Sequence, residues 1–283
     1  MKFDFKNDWK EHVRHELLSL GFKYNDNKDV TENSINFFNV NRRLPKKAPR
    51  KAVFSKEFCC PIENKNGLNA LVKKIEKGEC LTPNLSKTIS KADYNDATLD
   101  DWGIHHFHLG NKEINGVIER TKNVAFVLVL FDCALFIQIL AHGKGHSDVW
   151  VNTSLVEIIH TNWPESISHM KTDLSGSSLT STERTTLRKK NANVDIEVSD
   201  GTVYFAPGGG RMSNGASMSD FMNLQRIYRD LDYLEAVVNQ ESDQIKQKIT
   251  TSNGTLDLRV DFSNTQKLRV IEVNSKTMLD LQK

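Results

Sequence analysis

Two apolar runs separated by a dipeptide, residues 124–131 (VAFVLVLF) and 134–141 (ALFIQILA), constrain the fold of this 283-residue chain more than any other feature. Each has the length of one strand, and the first offers no polar side chain to water on either face, so it predicts a central strand covered on both sides. The intervening Asp132-Cys133 suits a hairpin. A hairpin buried on both faces needs covering layers, and helical periodicity supplies them. Trp9, Val13, Leu17 and Leu20 mark one helix over 7–20, which Gly21 ends, and Leu68, Leu71 and Ile75 mark another over 64–78. The expected class is α+β, a curved antiparallel sheet with packed helices.

Composition excludes several functions. Neither apolar run approaches the roughly 20 residues of a membrane helix. The first residues are charged and lack a signal-peptide core. A net charge of +2 leaves no global field toward nucleic acid or membrane, so any such attraction is local. Four cysteines form no CxxC or metal-ligand pattern and read as reduced thiols. These features predict a soluble cytoplasmic chain without a membrane partner.

The chain divides by texture into three segments. Residues 1–94 form a helical and basic region, 95–168 a histidine-rich meander followed by a helix, and 190–283 a C-terminal α+β unit. The first contains the most basic stretch, 41–51, with six cations in eleven residues: Arg42, Arg43, Lys46, Lys47, Arg50 and Lys51. Its two prolines predict an extended loop, suited to phosphate contacts, and make these six residues the expected RNA-binding group. In the second segment a helix is expected over 152–163, with Ser154 and Glu157 at capping-box spacing and Pro164 as the stop. Residues 166–192, rich in Ser, Thr and Lys, read as a linker. The third segment predicts a strand pair near 194–197 and 202–205, a Gly-rich turn at 207–210 and a helix over 217–248. Two closing strands follow at 256–262 and 268–273. The long helix carries Phe221, Leu224, Tyr228, Leu231, Leu234 and Val238 on one face, a surface for a protein partner or a second copy.

Seven of the nine histidines lie between positions 105 and 169, three of them in DWGIHHFHL (101–109). On a strand alternate residues share a face, which puts His106 and His108 together, about 7 Å apart at roughly 3.3 Å per residue, and turns His105 away. On the neighbouring strand Phe136, Gln138, Leu140 and His142 are expected to share a face, beside the Gly143-Lys144-Gly145 turn. Arg120 precedes the central strand. With strands paired in sequence order, His106, His108, Arg120, His142 and Lys144 converge at one end of the sheet. Imidazoles exchange protons near neutral pH, their ordinary pKa being about 6.5. Metal-free RNA cleavage needs a base for the ribose 2′-hydroxyl, an acid for the leaving 5′-oxygen and a cation for the phosphorane, which these residues supply without a cofactor.

The order DWGIHHFHLG, Arg120, VAFVLVLF, a strand ending in AHGKG, Trp150 and the helix SLVEIIHTNWPE resembles the compact α+β nucleases of toxin and phage-defence systems, the barnase/EndoU/colicin/RelE-like endoribonucleases. The resemblance covers about 95–165, a quarter of the chain. It implies a metal-independent endoribonuclease acting on RNA through His, Arg and Lys on a curved sheet, carried here by His106, His108, Arg120, His142 and Lys144. The flanking segments exceed that pattern and leave open a free toxin or one component of a larger defence complex.

Two other readings stay open. His106-x-His108-(x)4-Glu113 has the spacing of a cupin-like metal site that His142 or His146 would complete, the mark of a metal-dependent hydrolase or oxygenase. Alternatively the chain is a non-catalytic binding or assembly subunit. His12, His15, His105, His160 and His169 read as structural or solvated. The glycines at 208–210, ahead of a helix, suit either a tight turn or an anion site.

Overall fold

A computed structural model describes residues 1–249 and 255–279. In chain order its elements are α1 (Phe5–Ser19), α2 (Val30–Arg43), β1 (Lys51–Phe54), α3 (Lys65–Lys77), α4 (Ala97–Trp102), β2 (Ile104–His108), β3 (Glu113–Ile114), β4 (Val117–Ile118), β5 (Asn123–Val129) and β6 (Cys133–Ala141). There follow α5 (Ser154–Asn162), β7 (Lys171–Thr172), α6 (Ser181–Lys189), β8 (Asp195–Glu197), β9 (Val203–Phe205), α7 (Met218–Gln240), α8 (Ser242–Lys248), β10 (Leu258–Asp261), β11 (Arg269–Glu272) and β12 (Thr277–Leu279). The class is α+β, with several antiparallel sheets. Among the described residues no helix is long and apolar enough to cross a membrane.

The chain forms two compact units, one of residues 39–220 and one of 1–38 with 221–283. The expected 1–94 and 190–283 segments are therefore each divided, at points inside α2 and α7. Positions 250–254 and 280–283 of the last segment lie outside the described residues.

The 39–220 unit is built on a four-stranded sheet in the order β1-β6-β5-β2, antiparallel except for β1, which runs parallel to β6. The β5–β6 hairpin closes where the Leu130 N–H donates to the Cys133 carbonyl, 2.9 Å. As its composition requires, β5 is buried on both faces. Val124, Phe126 and Leu128 join Ile104, Leu135, Ile137 and the α5 residues Leu155, Val156 and Ile159 on one side. Ala125 and Val127 join Phe107, Phe136, Ile139 and the α3 residues Leu68, Leu71 and Ile75 on the other.

β6 departs from simple alternation. Phe136 pairs with Val127 and Gln138 with Phe126, so Ile137 is an extra residue, a β-bulge. Before the bulge, odd-numbered residues face α5; after it, even-numbered residues such as Leu140 do. Phe136 therefore does not share a face with Leu140, contrary to the strict alternation expected from sequence. Gln138 satisfies the disrupted backbone. Its Oε1 accepts from the Ile139 N–H (2.9 Å) and the Cys59 N–H (3.0 Å), and its Nε2 donates to the Glu57 carbonyl (2.8 Å).

Other differences have local causes. Arg42 and Arg43 lie in the last turn of α2, not in a loop, because buried acceptors hold them there. Residues 166–192 contain β7 and α6; α6 begins with a capping box in which the Thr180 hydroxyl accepts from the Glu183 N–H and the Glu183 carboxylate accepts from the Thr180 N–H. No such box starts α5: the Asn152 side chain accepts from the Ser154 N–H, while Glu157 accepts from the Ser199 N–H and hydroxyl. The long C-terminal helix is interrupted at Glu241. The Gly-rich run is a structural clasp: the Gly208 and Gly210 N–H groups donate to the Asp101 and Asp100 carbonyls, both 2.9 Å. A Cβ on Gly208 would stand 2.4 Å from the Leu99 carbonyl oxygen, so only glycine permits this approach. With its amides committed in this way, the run offers no anion cradle.

In the other unit α1 buries Phe5, Trp9, Val13 and Leu17, and the Trp9 Nε1–H donates to the Ser34 hydroxyl, 2.9 Å. Glu272, fully buried, accepts from the Asp257 and Ser275 N–H groups, the Ser275 hydroxyl and the Asn274 amide. These hydrogen bonds, led by that from the Ser275 backbone, hold its carboxyl down at about 2.

Candidate active site

On the α5-facing side of the sheet, toward the β2 C-terminus, lies a cavity of about 520 Å³. His106, His108, His142 and Arg120 all line it, with Asp96, Trp150 and Lys189. β2 supplies two of the rings: His106 pairs with Phe126 and His108 with Val124, which fixes both on this face. His142 follows β6, where its N–H donates to the Lys122 carbonyl at 2.9 Å. It reaches the cavity because the bulge has reversed the alternation; a regular β6 would carry it to the α3 side with Phe136. Arg120 is brought in by the approach of the Glu119 backbone to Gly110, where a Cβ would lie 2.3 Å from the Glu119 carbonyl oxygen.

The rings are packed against one another. His108 and His142 have centroids 5.3 Å apart, and the Trp150 indole touches both His106 (4.9 Å) and His142 (5.8 Å). Trp150 is thus wedged between two imidazoles, and Trp163 packs in the core. Buried nitrogens of all three rings, Nδ1 of His106 and His108 and Nε2 of His142, make no hydrogen bond. Burial, followed by the neighbouring His142, Arg120 and His106, pushes His108 down to about 4. Burial and His106 also lower His142. His108 is therefore a neutral imidazole at physiological pH, able to accept a proton.

The cavity is electropositive. Asp96 is its one carboxylate among the lining residues, against Arg120, Arg188 and Lys189. Arg188 pairs with Asp101 (2.7 Å), a carboxylate it shares with Arg211 (3.2 Å), lies over the Trp102 ring and bonds the Trp150 carbonyl. Arg120 donates only to the Ser86 hydroxyl, 3.2 Å, and neither it nor Lys189 pairs with a carboxylate among the described residues. Such a site suits an anion that reacts by proton transfer.

Not every expected residue is here. Lys144 is exposed in its turn and does not line the cavity; Lys189, from α6, stands there instead. The basic stretch 41–51 also resolves into two groups. Arg42 bridges the buried carboxylates of Asp100 (2.6 Å) and Asp220 (2.9 Å). Arg43 donates to the Ile89, Lys91 and Ala92 carbonyls, and Arg50 to those of Leu130, Lys46 and Ala48. These three arginines are committed inside the protein and offer nothing to RNA. Lys46, Lys47 and Lys51 are exposed, but the Lys51 N–H donates to the Asp132 carbonyl at the hairpin end of the sheet. His106 stands opposite Phe126, His108 opposite Val124 and His142 just past Asn123, so the imidazoles lie about 10 to 23 Å along β5 from that end.

The cupin-like spacing does not become a metal site. Glu113 is exposed and pairs with Lys74 (3.7 Å), and among the described residues no three His, Cys, Asp or Glu side chains converge as metal ligands. His105, on the opposite face, stacks on Phe107 at 5.9 Å, and His160 bridges the buried Tyr204 hydroxyl (2.8 Å) and Asp200 (3.1 Å). Sequence reading missed Asp96, whose only mark was a helix-starting Asp before Ala-Thr-Leu, and saw Lys189 only as part of a weaker basic patch, with Arg184, Arg188 and Lys190, on a stretch read as linker. No protein-family model, curated protein or solved structure matches the chain.

Proposed function

We propose that this chain is a metal-independent endoribonuclease of the toxin or anti-phage defence type, working in the cytoplasm. One imidazole of the cavity removes the ribose 2′-hydroxyl proton, and the 2′-oxygen attacks phosphorus. A second imidazole delivers a proton to the departing 5′-oxygen, so the products are a 2′,3′-cyclic phosphate and a 5′-hydroxyl. His106, His108 and His142 are the candidates for the two roles. Arg120 stabilises the phosphorane, with Lys189 adding positive charge in place of Lys144. A bound phosphate sets a negative charge beside the rings and favours their protonated forms, offsetting the effect of burial. Lys46, Lys47 and Lys51 hold the RNA strand farther along, by counterion release rather than by touching the scissile phosphate.

The observation that carries this reading is the convergence of three partly unpartnered imidazoles and Arg120 on one electropositive cavity. It is tested by incubating end-labelled RNA with the protein and with His106→Ala in excess chelator. Cleavage that survives chelator, disappears in the variant and leaves a 2′,3′-cyclic phosphate is the expected result. Cleavage of an RNA carrying a 2′-deoxyribose at the cut site, or no cleavage of any RNA by the wild type, overturns it.

A further inference from the structure

Asp96 is the one carboxylate lining a cavity that three imidazoles, Arg120, Arg188 and Lys189 also line, and its two oxygens do different things. Oδ1 accepts from the Thr98 (3.1 Å) and Leu99 (3.2 Å) N–H groups as the N-cap of α4. This fixes the carboxylate on the backbone. Oδ2 lies 3.4 Å from His106 Nδ1, with the two side chains only 14% and 10% exposed. That nitrogen is buried and makes no hydrogen bond, so the Asp96 carboxylate is the acceptor nearest to it. Trp150 packs against the same ring from another side.

A carboxylate accepts and cannot donate, so the proton of a neutral His106 belongs on the nitrogen facing it. The other nitrogen then keeps its lone pair. We infer that Asp96 is a positioning residue that holds His106 as its Nδ1–H tautomer, presenting Nε2 to the cavity as the base that takes the 2′-hydroxyl proton. This assignment rests on the ribonuclease reading above and deepens it: His106 takes the first proton, and the acid role passes to His108 or His142. On proton uptake the imidazolium of His106 forms its ion pair with Asp96, so positive charge develops where a fixed negative charge already waits. The proton subsequently leaves from Nε2, and Asp96 itself gains none.

Asp96→Asn separates this role from capping. Asn is as good an N-cap as Asp, so α4 keeps its start, but the amide now donates toward Nδ1 and forces the proton to Nε2. Asp96→Ser also caps and does not reach the ring. Imidazole ¹⁵N spectra of the full-length protein at pH 8, with the His106 signals assigned by loss in His106→Gln, read the tautomer directly. Expected is Nδ1–H in the wild type, Nε2–H in Asp96→Asn, and at least about a hundredfold slower RNA cleavage in Asp96→Asn with the melting temperature little changed. An Nε2–H tautomer in the wild type, a tautomer unmoved by Asp96→Asn, or wild-type cleavage rates in a variant whose ring has flipped each overturn the assignment. Should Asp96→Asn fail to fold, Asp96→Ser carries the same test, expected to lose the Nδ1–H preference. If the wild type cleaves no RNA, the ribonuclease reading and the base role fall together, while the spectra still decide whether Asp96 sets the ring.

Discussion

His105 makes the acid stability of the 39–220 unit a test of how its burial acts. The ring is 7% exposed, stacked on Phe107, and neither nitrogen has a well-formed hydrogen bond. Burial, partly countered by Asp96, pushes it down to about 4 from an ordinary 6.5. The unfolded chain therefore binds a proton at a pH where the folded chain refuses it. This contribution to stability is intact above about pH 6.5 and is lost as pH falls toward 4, an upper figure of about 3 kcal/mol. His105→Leu keeps a similar volume and removes the titration. Urea unfolding followed by tryptophan fluorescence, at pH 7.5 and pH 4.5, compares the two proteins; Trp102, Trp150 and Trp163 all report on this unit. The variant is expected to be more stable by about 1–2 kcal/mol at pH 7.5, because two buried nitrogens without a well-formed hydrogen bond leave the interior. Its loss of stability on acidification should be smaller than that of the wild type by about 2–3 kcal/mol. His108 and the carboxylates are common to both proteins and cancel in the difference. Equal losses in the two proteins would refute the reasoning.

Arg42→Met leaves Asp100 and Asp220 buried without their cation and should cost about 3–5 kcal/mol in urea unfolding, part of which returns when both aspartates are also changed to asparagine. Glu272→Gln keeps the volume but turns one acceptor into a donor facing N–H groups, a loss of about 2 kcal/mol at pH 7. Because the Glu272 carboxyl is depressed when folded, its contribution is present above pH 4.5 and vanishes as pH falls toward 2, so thermal melts of wild type and variant should converge in that range. Lys46→Ala/Lys47→Ala/Lys51→Ala should flatten the dependence of log K on log salt for single-stranded RNA by about 2, at an unchanged single-turnover cleavage rate at saturation. The same change at Arg120 should slow that rate by about a hundredfold and leave most of the salt dependence in place.

Much of the sheet is legible in the sequence because period-two patterning is a local property. The apolar 124–131 run reads as a central strand and is one from Val124 to Val129, while Phe131 is exposed beyond its end. The alternation of Ile104 to His108 places His106 and His108 on one face and His105 on the other. What is not legible depends on partners distant in the chain. Arg42, Arg43 and Arg50 look like the cations of Lys46, Lys47 and Lys51, and only the fold reveals that the arginines meet buried carboxylates and carbonyls. Helix α6 escaped notice because STERTTLRK contains a single apolar residue, although Thr180 and Glu183 stood at capping-box spacing. His142 is the instructive case. Unbroken alternation groups it with Phe136, yet it meets His106 and His108 because that alternation fails at Ile137.

The extra residue in β6 makes the arithmetic of that strand part of the chemistry. With the bulge at Ile137 kept, removing one residue between Gln138 and His142 would send the third ring out through the opposite side of the sheet, and removing two would leave it where it is. Removing Ile137 itself would restore a regular strand and keep the ring on the α5 side. Length changes in this stretch are thus tolerated by parity rather than by size. Any chain built to the same plan must carry either the bulge with its histidine here or a regular strand with the histidine one place earlier.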